Sequence, residues 1–178
     1  LGAYGGSEFA TPNLDRLARR ALRFTRHYAG SLPCMPARRD MHTGRLSFLH
    51  RSWGPLEPFD NSFAEILHRK GVYSHLVSDH YHYWEDGGAT YHNRYDTFEF
   101  VRGQERDPWK AMVEPPWERL REQYHRVQWS SQRRHKFAQY MINREFIRDY
   151  ADFPSVRCFD HGLDFLQRNR SANDWLLH

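Results

Sequence analysis

The chain has 178 residues, enough for one ordinary domain with a real core, and a net charge of +4 that leaves its 12 histidines uncounted. That balance suits an anionic partner, but the basic residues are spread over many segments, which argues against a nucleic-acid-binding domain. No apolar run approaches the length of a membrane-spanning helix, and the two cysteines, Cys34 and Cys158, do not make a disulfide framework.

In chain order, Thr11 predicts an N-cap with Pro12 at the first helical position, and Leu14, Leu17, Ala18, Ala21 and Leu22 keep one apolar face. Phe24 to Tyr28 alternates apolar and polar residues as a short strand does. Leu46 to Asp60 is irregular, broken by Trp53-Gly54-Pro55 and Pro58. Asn61 or Ser62 then caps a helix with Phe63, Ala64, Ile66 and Leu67 inward and Gly71 as its stop, and Val72 to Ser78 follows as a strand. Thr97 to Val101 predicts another strand. Residues 102–134 turn polar and aromatic and read as an insertion or excursion, with a short helix near Trp117 to Val127. Its aromatics, Trp109, Trp117 and Trp129 among them, are expected to pack it onto the body rather than to stack on a ring-bearing ligand or nucleic-acid bases. Residues 134–150 have a mixed helical pattern. Ser155 to Asn169 predicts a helix with Val156, Phe159, Leu163 and Leu166 as its apolar stripe, and Asn173-Asp174 turn the chain into a strand from Trp175. Helices alternating with strands imply an α/β fold, doubly wound, with a mainly parallel sheet covered by helices on both faces.

The stretch from Ser31 to Arg45 carries the chemistry. Pro36 is pre-set for the first turn of a helix, so the residues after Cys34 open one and aim unpaired N–H groups, with the positive dipole end, at an anion beside the cysteine. Arg38, about one turn along, faces the same way. The composite of Cys34-x-Pro36-x-Arg38, then Thr43-Gly44-Arg45, with Thr11-Pro12-Asn13-Leu14-Asp15-Arg16-Leu17-Ala18 upstream, resembles the signature of the type I sulfatases of the alkaline phosphatase superfamily. In that family the cysteine is oxidised after translation to formylglycine, whose hydrated aldehyde is the nucleophile. The resemblance therefore implies a sulfuric ester hydrolase in which Cys34, as formylglycine, attacks sulfur and binds a divalent cation, usually calcium, with magnesium or manganese as alternatives. Arg38 and Arg45 would steady the nucleophile, with Thr43 and Pro36 as support. It implies a small anionic sulfate-ester substrate and a formylglycine-generating enzyme as maturation partner, and no nucleic acid or membrane span. It also implies an incomplete sulfatase catalytic domain over residues 1–178, with the first strand and its aspartate pair upstream, and a smaller C-terminal subdomain downstream.

Ser78 to Gly88 lies just past a predicted strand's C-terminal end, where open α/β sheets place their ligands. Many sulfatases carry Gly-Lys-Trp-His-Leu-Gly here. This chain has no lysine at that place, and a gapless alignment sets Asp79 at the lysine position and Tyr81 at the histidine position. One of His80 and His82 takes the histidine role, as a donor to sulfate or an acid to the leaving oxygen. A His-x-His pair also invites a zinc reading, with oxygens from Asp79, Glu85 or Asp86, although the resemblance implies a hard cation held by oxygens. Two rival functions share the fold: a phosphonate or phosphate ester hydrolase with the same nucleophile, and a non-catalytic binding module, which the missing lysine allows.

Overall fold

The computed structural model describes residues 1–85, 90–126 and 134–178, and of 134–137 the backbone. The chain divides into two compact units, Leu1–Gly30 and Ser31–His178.

The first unit holds a 3-10 turn over Gly2–Tyr4 and the helix α1, Pro12–Ala18. Thr11 sits at the N-cap, but its hydroxyl serves other groups: it accepts from Gly2 N–H (2.9 Å) and donates to Asp15 Oδ1 (3.1 Å). The helix ends at Ala18, so Ala21 and Leu22 lie outside it, and Leu14, Leu17 and Leu22 are exposed. Residues 24–28, expected as a strand, form no ladder. Alternation alone does not make a strand, because its backbone groups need a neighbour to pair with.

The second unit is built on a three-stranded sheet: β1 (Tyr73–Ser78), β2 (Thr97–Phe100) and β3 (Trp175–Leu177). All pairings are parallel and the order is β2-β1-β3, as the alternation of elements predicted. Pairing between β1 and β3 runs past Leu177, since His178 N–H donates to His75 O (2.9 Å) and Val77 N–H to His178 O (2.8 Å). The chain leaves β1 for β2 on one side and crosses from there to β3 on the other, so the strand order reverses across β1 and its C-terminal end is a topological switch point. The helices are α2 (Cys34–Thr43), α3 (Phe63–His68), α4 (Trp117–Gln123), α5 (Arg134–Arg144) and α6 (Pro154–Arg168).

Local sequence explains the helix ends. Ser62, not Asn61, caps α3, its Oγ accepting from Glu65 N–H (3.2 Å) while Glu65 Oε2 accepts from Ser62 N–H (3.3 Å). Gly71 then turns the chain at φ 78°. On α6 the stripe expected inward points out, with Phe159, Leu163 and Leu166 exposed. The helix packs instead through Cys158, Gly162 and Phe165. A Cβ on Gly162 would stand 3.7 Å from Leu177, and Phe165 stacks on the His75 ring at 4.9 Å. Small residues at 158 and 162 let the backbone come close to the sheet, which outweighs the larger apolar face. In the excursion, Trp109 packs under Lys110 (4.5 Å) and against Phe146 (6.3 Å), while Asp107 holds Arg102 by three hydrogen bonds. The helix expected to reach Val127 stops at Gln123, where Tyr124 turns extended, and Trp129 lies outside the described residues.

Met35, Leu56, Ala64, Leu76, Tyr83, Tyr91 and Tyr95 form the core between α2, α3 and the sheet, with Phe63 and Trp84 against it. His42 is buried in its midst, stacked on Phe63 (4.7 Å) and met edge-on by Tyr91 (5.3 Å) and Tyr95 (5.9 Å). Burial, together with the positive fields of neighbouring cationic groups, pushes its pKa down from 6.5 to about 3. The unfolded chain therefore takes up a proton near pH 6.5 that the fold refuses until about pH 3, so stability falls as pH drops through that window and is flat above it. Urea midpoints followed by tryptophan fluorescence should decline from pH 7 to pH 4. His42→Gln should shallow that slope by about one proton. An NMR titration placing His42 near 6.5 in the folded protein would show this account to be wrong.

Candidate active site

Cys34 is the first residue of α2 and is exposed. Pro33 and Pro36 have no N–H to leave open, and Ala37 N–H already reaches Pro33 O (3.2 Å). The open donors of this helix end thus narrow to the N–H groups of Cys34 and Met35, with no side chain capping them. Pro36 is buried in the first turn.

One turn on, Arg38 Nη1 donates to Tyr83 Oη (3.0 Å), and the guanidinium lies over the Tyr83 ring at 4.9 Å. Its Nε is buried and has no partner among the described residues. Burial raises the pKa of the Tyr83 hydroxyl, with Arg38 pulling it down and Cys34 lying near enough to add to the rise. His80, 7% exposed at the switch point beyond β1, packs its ring against Tyr83 (5.5 Å), and its Nε2 likewise has no partner among the described residues. Burial, aided by the charge of Arg38, pushes the His80 pKa down to about 3, so the imidazole is neutral at pH 7.

Residues Tyr81–Tyr83 form a 3-10 turn, which curls the segment and brings the His80 and His82 rings to 4.9 Å. His82 Nδ1–H donates to Glu85 Oε1 (2.5 Å), and its ring meets Trp53 edge-on at 4.9 Å. Burial raises the Asp79 carboxyl above its usual range, and the charge of Arg38 only partly offsets this.

Thr43 and Arg45 are at the other end of α2. Thr43 Oγ1 donates to Arg39 O (2.8 Å) and accepts from Arg45 N–H (3.2 Å), and Gly44 closes the helix at φ 68°. Arg45 is exposed and, at the helical rise per residue, stands roughly 16 Å along the axis from Cys34. The structure thus brings Arg38, His80 and His82 together around Tyr83 beside Cys34, and sets Thr43 and Arg45 apart as the closure of the helix.

Several residues here escaped sequence reasoning. Arg39 is buried and gripped by Asp60 through two hydrogen bonds (2.8 and 2.9 Å), holding the Asp60 carboxyl below its usual range against the effect of burial. Trp53 and Tyr83 lay in stretches read only as irregular or aromatic; a tyrosine one turn after the histidine at a strand end was the available signal for the latter. Among the described residues no three of His, Cys, Asp and Glu gather to hold a metal ion. The zinc reading of His80 and His82 with Asp79 or Glu85 therefore fails among them, and Asp86 lies outside them.

A helix end with unpaired amides, a guanidinium and an imidazole, set at the switch point of a parallel sheet, is an arrangement in an α/β protein that can hold an anion. The family model described as Sulfatase matches residues 1–178, and the chain belongs to the sulfatase family. It is 34% identical to arylsulfatase D of Homo sapiens over 101 residues, 49% of this chain and 16% of that protein. It is 50% identical to arylsulfatase A of Bos taurus over 80 residues, 40% of this chain and 16% of that protein. With steryl-sulfatase of Mus musculus it shares 32% over 91 residues, 43% of this chain and 15% of that protein. The matched stretch is thus about a sixth of the length of these relatives. No solved structure matches the chain significantly.

Proposed function

We propose that this chain supplies the nucleophile and anion site of a sulfate-ester hydrolase, with Cys34 converted to formylglycine. Of three buried nitrogens around Tyr83 with no partner among the described residues, Arg38 Nε, His80 Nε2 and His42 Nδ1, the first two support this most, since Arg38 shares a helix face with Cys34 and His80 stands at the strand end beside it. Each costs about 1–3 kcal/mol while unsatisfied, a penalty that an anion's oxygens would remove.

The chemistry follows from the residue types. One hydroxyl of the hydrated aldehyde attacks sulfur, and the S–O bond to the alcohol breaks with the alcohol taking a proton. The second hydroxyl then loses its proton as the carbonyl re-forms, the C–O bond to the sulfate breaks, and sulfate leaves. Water restores the diol. The helix-end N–H groups and Arg38 offset the charge on the nonbridging oxygens. His80, neutral in the substrate-free protein, enters as a hydrogen-bond donor through Nε2–H and not as an imidazolium acid. The family implies a divalent cation, calcium or else magnesium or manganese. The described residues do not assemble a site for it, and no step here is assigned to it.

The test is direct. The full-length gene product, made in a host with a formylglycine-generating enzyme, should show, in the tryptic peptide containing Cys34, the mass loss of conversion and reactivity toward hydrazides, and should cleave aryl sulfates faster than aryl phosphonates, whereas residues 1–178 alone should show no turnover. An alkylatable thiol in every molecule, or a preference for phosphonates, would overturn the reading.

A further inference from the structure

The Arg38 guanidinium ends a long, flexible side chain, yet its task beside Cys34 requires one orientation. We propose that Tyr83 is the residue that sets this orientation, a rigid post whose hydroxyl fixes one arm of the guanidinium so that Nε is presented to an oxygen of the bound sulfuryl group. The inference rests on the sulfate-ester reading above and names a positioning residue within that site.

Tyr83 itself cannot turn. It is 0% exposed, its ring stacks on Tyr91 at 4.9 Å and 9°, and its edges meet His42 (6.2 Å) and His80 (5.5 Å). Its backbone is held as well, since Tyr83 N–H donates to His80 O (3.1 Å) and Tyr83 O accepts from His92 Nδ1–H (2.9 Å). Tyr91, the plate beneath it, donates its hydroxyl to Gly54 O (3.3 Å) and lies 3.5 Å from Met35 O, in the helical turn that carries Cys34. The post and the nucleophile therefore belong to one packed assembly.

Arg38 meets this post twice, by Nη1 to the hydroxyl at 3.0 Å and by its plane over the ring at 4.9 Å. A guanidinium is a planar fork, so a bond on one arm, with its carbon held over the ring, restricts where the remaining N–H groups point. Here the arrangement leaves Nε buried with no acceptor among the described residues. Burial keeps the tyrosine hydroxyl protonated, so it serves as a neutral acceptor and does not quench the cation.

A double-mutant cycle tests this, because Tyr83→Phe removes the hydroxyl and keeps the ring. It is read on turnover of an aryl sulfate and, independently of turnover, on the calorimetric affinity for inorganic sulfate. Tyr83→Phe should lower kcat on the order of 10- to 100-fold and weaken sulfate binding about tenfold, with KM and Tm little changed. Added to Arg38→Ala it should do nothing further, since the tyrosine acts through the arginine. Arg38→Lys, which keeps the charge and loses the fork, should be nearly as impaired as Arg38→Ala. Additive losses, or Tyr83→Phe within twofold of the parent in both readouts, would reject the inference. So would near-parent activity in Arg38→Lys, which also decides the matter should Tyr83→Phe not fold. A parent that turns over no sulfate ester would sink the functional reading instead, and the sulfate affinities then judge Tyr83 by the same criteria.

Discussion

Cys34→Ala will lower sulfate-ester turnover by on the order of 10⁴-fold or more, while leaving the protein folded. The residue is exposed at the first position of α2, where its side chain supports no packing and alanine is a favourable helix former, so a loss of activity cannot be put down to unfolding. Cys34→Ser is the more telling variant. A serine hydroxyl can attack sulfur and release the alcohol, but it has no second hydroxyl to collapse and expel the sulfate. It should give a single burst of alcohol and a protein carrying a sulfuryl group on residue 34, visible in the mass of the tryptic peptide. If Cys34→Ala keeps turnover within tenfold of the parent, the nucleophile lies elsewhere.

His80→Ala should cost about 10²- to 10³-fold in kcat, and His82→Ala no more than about tenfold. The two rings are in contact, so proximity to the site does not separate them. Their commitments do. His82 spends Nδ1 on Glu85 and its edge on Trp53, whereas His80 has a buried nitrogen with nothing to bond among the described residues and lies against the tyrosine that holds Arg38. Because His80 is neutral at pH 7, His80→Gln, which offers a neutral N–H donor, should recover part of the rate where alanine does not. Equal losses in the two alanine variants would mean that the imidazoles act as one unit. Parent-like rates in both would remove this turn from the chemistry.

Much of this was legible in the chain. The spacing of Cys34, Pro36 and Arg38 marked a helix start with a cysteine and a cation about one turn apart, and a cap at Asn61 or Ser62 marked the helix that leads into the central strand. These signals are local, set by residues within one or two turns of each other. The rest depends on long-range contacts that no periodicity encodes. Asp60 meets Arg39 across 21 positions, and Tyr83 meets Arg38 across 45. The inverted stripe of α6 shows the same limit: Phe159, Leu163 and Leu166 have the right spacing, but the face with Cys158 and Gly162 allows the closer approach to the sheet.

Arg38 and Arg39 are adjacent, so on a helix their side chains leave about 100° apart. One is clamped by Asp60 in the interior and the other rests on Tyr83, and together they act as two pins set in a shaft: the helix cannot roll about its own axis without losing one or the other. Cys34 lies one turn before Arg38 on the same generatrix, and its aim is inherited from those pins. The direction in which Cys34 faces is thus set in part by a carboxylate on the far side of the helix.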